Sequence, residues 1–352
     1  MDKTVTLAVA GSGKTRSIVN KLDLDHRALL ITYTNNAQED IRRRLIAKFG
    51  HMPANITVST YFTFLNRFCY RPLLFRAVRD RGISFHPPAR STYGFTLNDL
   101  RRYMDSDKRL YHCRMAKLLD VRNRVPNLLR RIERYYDGVF VDEVQDFGGH
   151  DFNLLMQLSQ ARVSWNLVGD FYQHTFSTSH DGTVNRSLHH DFGKFQNRFI
   201  ERGFNVDTES LVDCHRCSET VCAFIRDQIG IDIKAASSRT SDLVVVEDQA
   251  EADRLHADPS ILKLFLMEHE LYSCNSLTWG SAKGLDHHQD VCVVLNDKTW
   301  RLYLRGELRK AKPTIRNKLY VACSRPRRHL YLMPESILSR FKAQRVKAKA
   351  GR

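Results

Sequence analysis

The chain has no apolar stretch approaching the roughly 20 residues needed to cross a bilayer, so neither a membrane-spanning helix nor a membrane partner is expected. Its N-terminus lacks the charged and apolar regions of a secretory leader. Eight cysteines in 352 residues are too sparse for a disulfide framework, and a reduced, cytoplasmic chain is the expectation. Acidic residues are also short: 39 Asp and Glu stand against 55 Lys and Arg, a formal net charge of +16. That imbalance points to a polyanionic partner, most often nucleic acid, and says nothing about chemistry. What is present is globular in composition, with 42% apolar and 27% charged residues and length enough for two or three domains. No internal repeat is visible.

Short β-branched runs recur, each followed by a turn signal and a helical stretch. Val5–Val9, Ala28–Tyr33, Ile56–Ser59, Gly138–Val141 and Val163–Val168 form a first set. Glu209–Val212, Leu243–Glu247, Ser276–Trp279, Val291–Leu295 and His329–Leu332 form a second. They are apolar on both faces, as buried parallel strands are, and the alternation with helices predicts two α/β domains. The boundary is expected near Arg202-Gly203, giving domains 1–203 and 204–340 and a basic tail 341–352. Residues 66–136 read mainly as helix. Their basic run Lys108–Arg134 is either a solvated face or a surface that tracks phosphates.

Ala8-Val9-Ala10-Gly11-Ser12-Gly13-Lys14-Thr15 follows a strand and precedes a helical run, which is the context of a P-loop. Ala10, Gly11, Ser12 and Gly13 would wrap backbone N–H groups around phosphate. Lys14 would reach the β- and γ-phosphates, and Thr15 would hold Mg²⁺. A second acidic site is then required. Val139-Phe140-Val141-Asp142-Glu143-Val144-Gln145-Asp146 supplies it, with Asp142 for the Mg²⁺ shell and Glu143 to orient and deprotonate the attacking water.

The order of motifs resembles that of superfamily 1 helicases of the UvrD/Rep type, over nearly the whole chain. Ala8–Thr15 is similar to motif I, Ile31–Ala37 to motif Ia, Val58–Phe64 to motif Ib and Asp142–Asp146 to the DExQD box. Val168–Gln173 is similar to motif III, Asp213–Ser218 to motif IV, Thr278–Asp286 to motif V and Leu319–Arg325 to motif VI. The resemblance implies two RecA-like lobes with parallel sheets and ATP in the cleft between them. It implies γ-phosphate sensing by Gln173, Arg216 and Arg325, nucleotide contacts from Gly284 and Asp286, and DNA contacts from Thr34, Asn35, Thr60, Phe62 and Phe176. The implied activity is ATP-driven movement on single-stranded DNA, 3′ to 5′, in repair, replication or phage-related defence; basic charge would serve RNA as well.

The sequence departs from that pattern in several places. No glutamine motif precedes motif I, the tryptophan usual after motif III is absent, and the inserts in both lobes are small. A regulatory ATPase that gates a partner nuclease without unwinding is therefore the alternative. A small-molecule kinase would leave the later motifs unexplained. Cys214-x-x-Cys217 has no second pair at zinc-finger spacing, so ordinary thiols are expected there. His189-His190 and His287-His288 read as solvated loops. Phe62, Phe64, Phe68 and Tyr70 read as core, with Tyr61 or Phe62 open to a channel-lining role.

Overall fold

A computed structural model describes residues 2–175, 178 and 181–343. The chain forms two compact units. Of the described residues, the first comprises 2–8, 14–171, 178 and 181–210, and the second 9–13, 172–175 and 211–343. Both are built on parallel sheets flanked by helices, the α/β architecture of two RecA-like lobes that the resemblance implies.

The first unit contains β1 (Lys3–Leu7), β2 (Ala28–Thr32), β3 (Ile56–Thr60), β4 (Ile83–Ser84), β5 (Leu110–Tyr111), β6 (Gly138–Val141), β7 (Ser164–Gly169) and β8 (Asn205–Asp207). Six of these make one sheet in the order β3-β2-β6-β7-β1-β8. Every pairing in it is parallel. Leu30, Val58 and Phe140 pack from the sheet onto Ile18, Ile41 and Leu45 of the helices Lys14–Lys21 and Asn35–Phe49. In an open parallel sheet the loops at the carboxyl ends of the strands converge on one edge, where ligands bind. The loops leaving β1, β6 and β7 therefore emerge side by side.

The second unit contains β9 (Asp213–Cys214), β10 (Lys234–Ala235), β11 (Leu243–Val245), β12 (Leu262–Phe265), β13 (Ser276–Thr278), β14 (Val291–Leu295) and β15 (Leu330–Pro334). Its main sheet runs β11-β15-β14-β12-β13. Alternate residues of β14 enter different cores, Val291, Val293 and Leu295 on one face and Cys292 and Val294 on the other. Both faces are covered, which explains the unbroken apolar run.

Two parts of the second set of strands differ from expectation. Glu209–Val212 is not a strand: the Asp207 carboxylate accepts from the N–H groups of Glu209 and Ser210 and turns the chain there. A strand that the pattern hid is β12, whose Lys263 is fully buried and donates through Nζ to the Asp258 carbonyl. Residues 341–343 of the expected tail still belong to the fold, with the Ala343 N–H on the Leu271 carbonyl; 344–352 lie outside the described residues.

The stretch 66–136 is helical at its flanks, at Phe64–Tyr70, Arg71–Val78, Met115–Val121 and Val125–Tyr135. Between them lie 3₁₀ turns and the two-stranded parallel ribbon β4–β5. Arg114 fastens this region to residue 181. Its guanidinium is 1% exposed and donates to both carboxylate oxygens of Asp181 at 2.7 and 2.9 Å, with Tyr93 and Tyr111 rings against it. Removing one partner of such a pair leaves a buried charge uncompensated, at a cost of about 3–5 kcal/mol. Arg114→Met should therefore lower the unfolding free energy in urea by about that amount, and a loss below about 1 kcal/mol, the scale of an exposed pair, would refute the assignment.

Candidate functional site: phosphate-binding loop and acidic pair

In the first unit the strands β1, β6 and β7 hold the polar residues in fixed register. The Ala8 N–H bonds the Gly169 carbonyl at 2.8 Å, and the Asp142 N–H bonds the Ile31 carbonyl at 2.8 Å. Just beyond these bonds the chemistry begins. The Thr15 hydroxyl donates to Asp142 Oδ2 at 2.8 Å, and Lys14 Nζ lies 4.0 Å from Asp170 Oδ2. Burial, then the neighbouring Glu143 carboxylate, push the Asp142 carboxyl above the usual carboxylate range, with Thr15 and Lys14 opposing. A hydroxyl and a carboxylate in mutual contact form a hard oxygen donor set, which fits Mg²⁺.

Glu143 sits at φ 59°, ψ 45°, a left-handed conformation that a non-glycine residue seldom adopts. Such strain persists only where the surroundings enforce it. Here the Glu143 N–H bonds Asp142 Oδ1 at 3.0 Å, and Gln145 Nε2 donates to Glu143 Oε2 at 2.5 Å. The same Gln145 side chain accepts from the Asp170 N–H through Oε1 at 3.0 Å. Gln145 thus links the acidic pair to the loop after β7. A Cβ at Gly169 would collide with Gln145 Oε1, which accounts for glycine there. Gln145 and Asp170 were readable only as members of their motifs; nothing in the sequence indicated that they are joined.

Thr34 and Asn35 follow β2, Thr60 ends β3 and Phe62 comes just after it, all at the same edge of the sheet. Thr34 and Asn35 are exposed, and the Thr34 hydroxyl caps the helix Asn35–Phe49 by accepting from the Ala37 N–H at 3.1 Å. Thr60 is buried, accepting from the Thr63 N–H and donating to Thr63 Oγ1. Tyr61 is core, donating to the buried Asp151 carboxylate at 2.9 Å. Phe64 and Tyr70 are core as well, whereas Phe62 and Phe68 are half-buried. Phe176 lies outside the described residues.

The second unit includes the loop residues Val9–Gly13. The Ala10 N–H donates to the Tyr320 hydroxyl at 2.8 Å, and the Gly11 carbonyl accepts from the His215 N–H at 3.0 Å. Gly11 has φ +71°, and a Cβ on it would stand 2.8 Å from both Arg216 Cβ and Cys214 Sγ, so only glycine fits. Ser12 Oγ donates to the Val9 carbonyl at 2.9 Å, and Gly13 has φ +85°. Gln173 is buried in this unit. Tyr320, a residue of the motif VI segment, is the contact that sequence reasoning missed; its position in a helix gave no signal of it.

Arg216 and Arg325 meet at Asp286. Arg216 pairs with Asp286 Oδ1 through Nη2 and donates to the Ser324 carbonyl at 3.0 Å. Arg325 is 1% exposed. It donates to the Val321 and Leu285 carbonyls and Ser324 Oγ, with Asp286 at 3.8 Å. Burial, then the Arg216 charge, bring its pKa down to about 10, so it keeps its charge at neutral pH. Gly284, at φ +82°, turns the loop that delivers Asp286. Cys214 Sγ accepts from the Cys217 N–H at 3.3 Å. No group of three or more His, Cys, Asp or Glu side chains among the described residues is arranged to hold a metal.

No family model matches this sequence, and no curated protein does. Solved structures do. The chain is similar to a complex of arterivirus nonstructural protein 10 (helicase) with DNA, at a TM-score of 0.50 and 16% identity, covering 96% of this chain and 63% of that one. The same arterivirus helicase in another structure gives a TM-score of 0.51 at 16% identity, covering 96% and 62%. This chain thus spans less than two thirds of the length of those helicases and shares their fold.

The site generates a pH test at Asp151. Burial raises its carboxyl to about 7, with hydrogen bonds from Thr178 and Tyr61 opposing. A carboxyl raised on folding stabilises the protein fully below its unfolded value and less as pH climbs to the folded value. Between pH 5 and pH 7 the wild type should lose about 1.4 kcal/mol per pH unit relative to Asp151→Asn, measured by urea unfolding of both proteins. Parallel pH profiles would refute the assignment.

Proposed function

We propose that the chain is a nucleic-acid-stimulated ATPase that moves along single-stranded DNA, of the UvrD/Rep type of superfamily 1. One observation carries this reading: Lys14, Thr15, Asp142 and Glu143 are gathered beyond the carboxyl ends of β1 and β6, the parallel strands on either side of β7, with Glu143 held in a strained conformation by its hydrogen bonds.

In this reading the loop Ala10–Gly13 and Lys14 bind the nucleotide phosphates. Thr15 and Asp142 would hold Mg²⁺, which neutralises phosphate charge when bound. Glu143, pointed by Gln145, takes the proton of the attacking water. Arg216 and Arg325 exchange Asp286 for the γ-phosphoryl group and offset the charge that builds there. Gln173 senses the same group. Thr34, Asn35 and Phe62 face the strand, where the helix N-terminus at Thr34 offers its N–H groups to phosphate, while Thr60, buried and bonded to Thr63, holds the turn after β3. The DNA complex of the arterivirus helicase supports a nucleic-acid ligand. The direction of movement rests on the motif resemblance and is read by comparing 3′- and 5′-tailed substrates.

One observation favours a second reading, a regulatory ATPase that gates a partner nuclease. Between β9 and β13 the chain forms core elements of the second unit, namely β10, β11, the helix Gln249–Ala257 and β12. That leaves little chain there for a strand-separating insert.

Steady-state ATP hydrolysis with and without single-stranded DNA tests the proposal. Wild type should be stimulated, and Glu143→Gln should lose at least about 100-fold in turnover, the lower range for removing a general base. Stimulation with no duplex unwinding would favour the regulatory reading. Turnover indifferent to every single strand, DNA or RNA, would overturn the motor reading.

A further inference from the structure

The ribbon β4–β5 brings two aromatic residues together by register. Ile83 pairs with Leu110 and Ser84 with Tyr111, so Phe85 and His112, the next residues of each strand, fall opposite one another. Their rings are 5.0 Å apart and inclined by 30°. Phe62, leaving β3, lies on the Phe85 ring at 5.0 Å. The His112 ring is fixed by a 3.3 Å hydrogen bond between Nδ1 and the Ser84 carbonyl, and its burial favours the neutral form. Phe62 and His112 are half-buried, yet Phe85, the residue between them, is 61% exposed. A large ring that two other rings support, and that water still covers, is a surface prepared for a flat partner.

The setting specifies that partner. Residues 66–136, which contain Phe85 and His112, carry 17 Lys and Arg against 6 Asp and Glu, so most of the chain's positive excess lies in this region. An exposed aromatic ring within a basic region suits single-stranded nucleic acid. The charges track the backbone, and the ring stacks an unpaired base. Phe62 also leaves the same edge of the sheet as the exposed Thr34 and Asn35.

We infer that Phe85, supported by Phe62 and His112, is the stacking platform for one unpaired base of a bound single strand. The inference rests on the nucleic-acid reading above and adds a residue that no motif contains.

The test is fluorescence anisotropy of the full chain with fluorescein-labelled dT20 and U20, at several salt concentrations. Phe85→Ala should weaken binding about tenfold, within the range of one base–aromatic stack. Phe85→Trp should retain binding, and Phe85→Leu, apolar but not aromatic, should lose it. The slope of affinity against salt should be unchanged, because no phosphate contact is removed. An oligonucleotide of abasic sites should bind wild type and Phe85→Ala alike. The side chain is exposed, and thermal melting of the variants checks that they fold. If wild type binds dT20 or U20 and Phe85→Ala binds within twofold of it, the platform is refuted and the nucleic-acid reading stands. If wild type binds neither strand, both fail.

Discussion

The parallel pairing of β1 with β7, and of β7 with β6, is the constraint on which the first unit's chemistry depends. Each strand ends in a polar residue or loop that would be ordinary on its own. Only because the three strands run side by side in one direction do their ends meet. Lys14 then finds Asp170, Thr15 finds Asp142, and Gln145 reaches both Glu143 and the loop after β7. The hydrogen-bond ladder sets this geometry before any ligand arrives.

The second unit uses a different device. Two arginines are kept close together by one half-exposed aspartate, Asp286, and by backbone carbonyls of the helix Pro313–Cys323 and the residue after it. Like charges in proximity are unfavourable unless a counter-charge lies between them. Asp286 provides it, and being half exposed it is accessible to replacement by another anion. Tyr320 and the tight approach of Gly11 to Arg216 add a fixed backbone beside the pair.

Much of this was legible in the sequence. Gly138–Val141 and Val291–Leu295 begin and end where their apolar runs do, since strands covered on both faces have no polar residue to confuse their limits. The loop Ala10–Gly13 and the pair Asp142-Glu143 stood out as candidates in the sequence because their residue types have few other uses in that order. What escaped was non-local. Lys263 concealed β12 because its charge is satisfied by a carbonyl five residues away, a partner that no periodicity reveals. The Asp207 turn displaced an expected strand by two hydrogen bonds that depend on one side chain's rotamer. Gln145, Tyr320 and the meeting of Phe85 with His112 depend on tertiary register.

The ladder also has a consequence in time. β1 lies at the very start of the described chain, yet its two neighbours are distant in sequence: Lys3 pairs with Trp165, and Thr4 with Asn205. During synthesis the first strand must wait, unpaired, until most of the first unit has been made. Contacts of such long sequence separation are slow to form, and exposed strand edges invite aggregation meanwhile. The loop Val9–Gly13 lies just past that strand, and its backbone is bonded by Tyr320 and His215 of the second unit, so it acquires its shape later still. A nascent chain therefore carries this loop unsupported until residues far beyond β7 have been made.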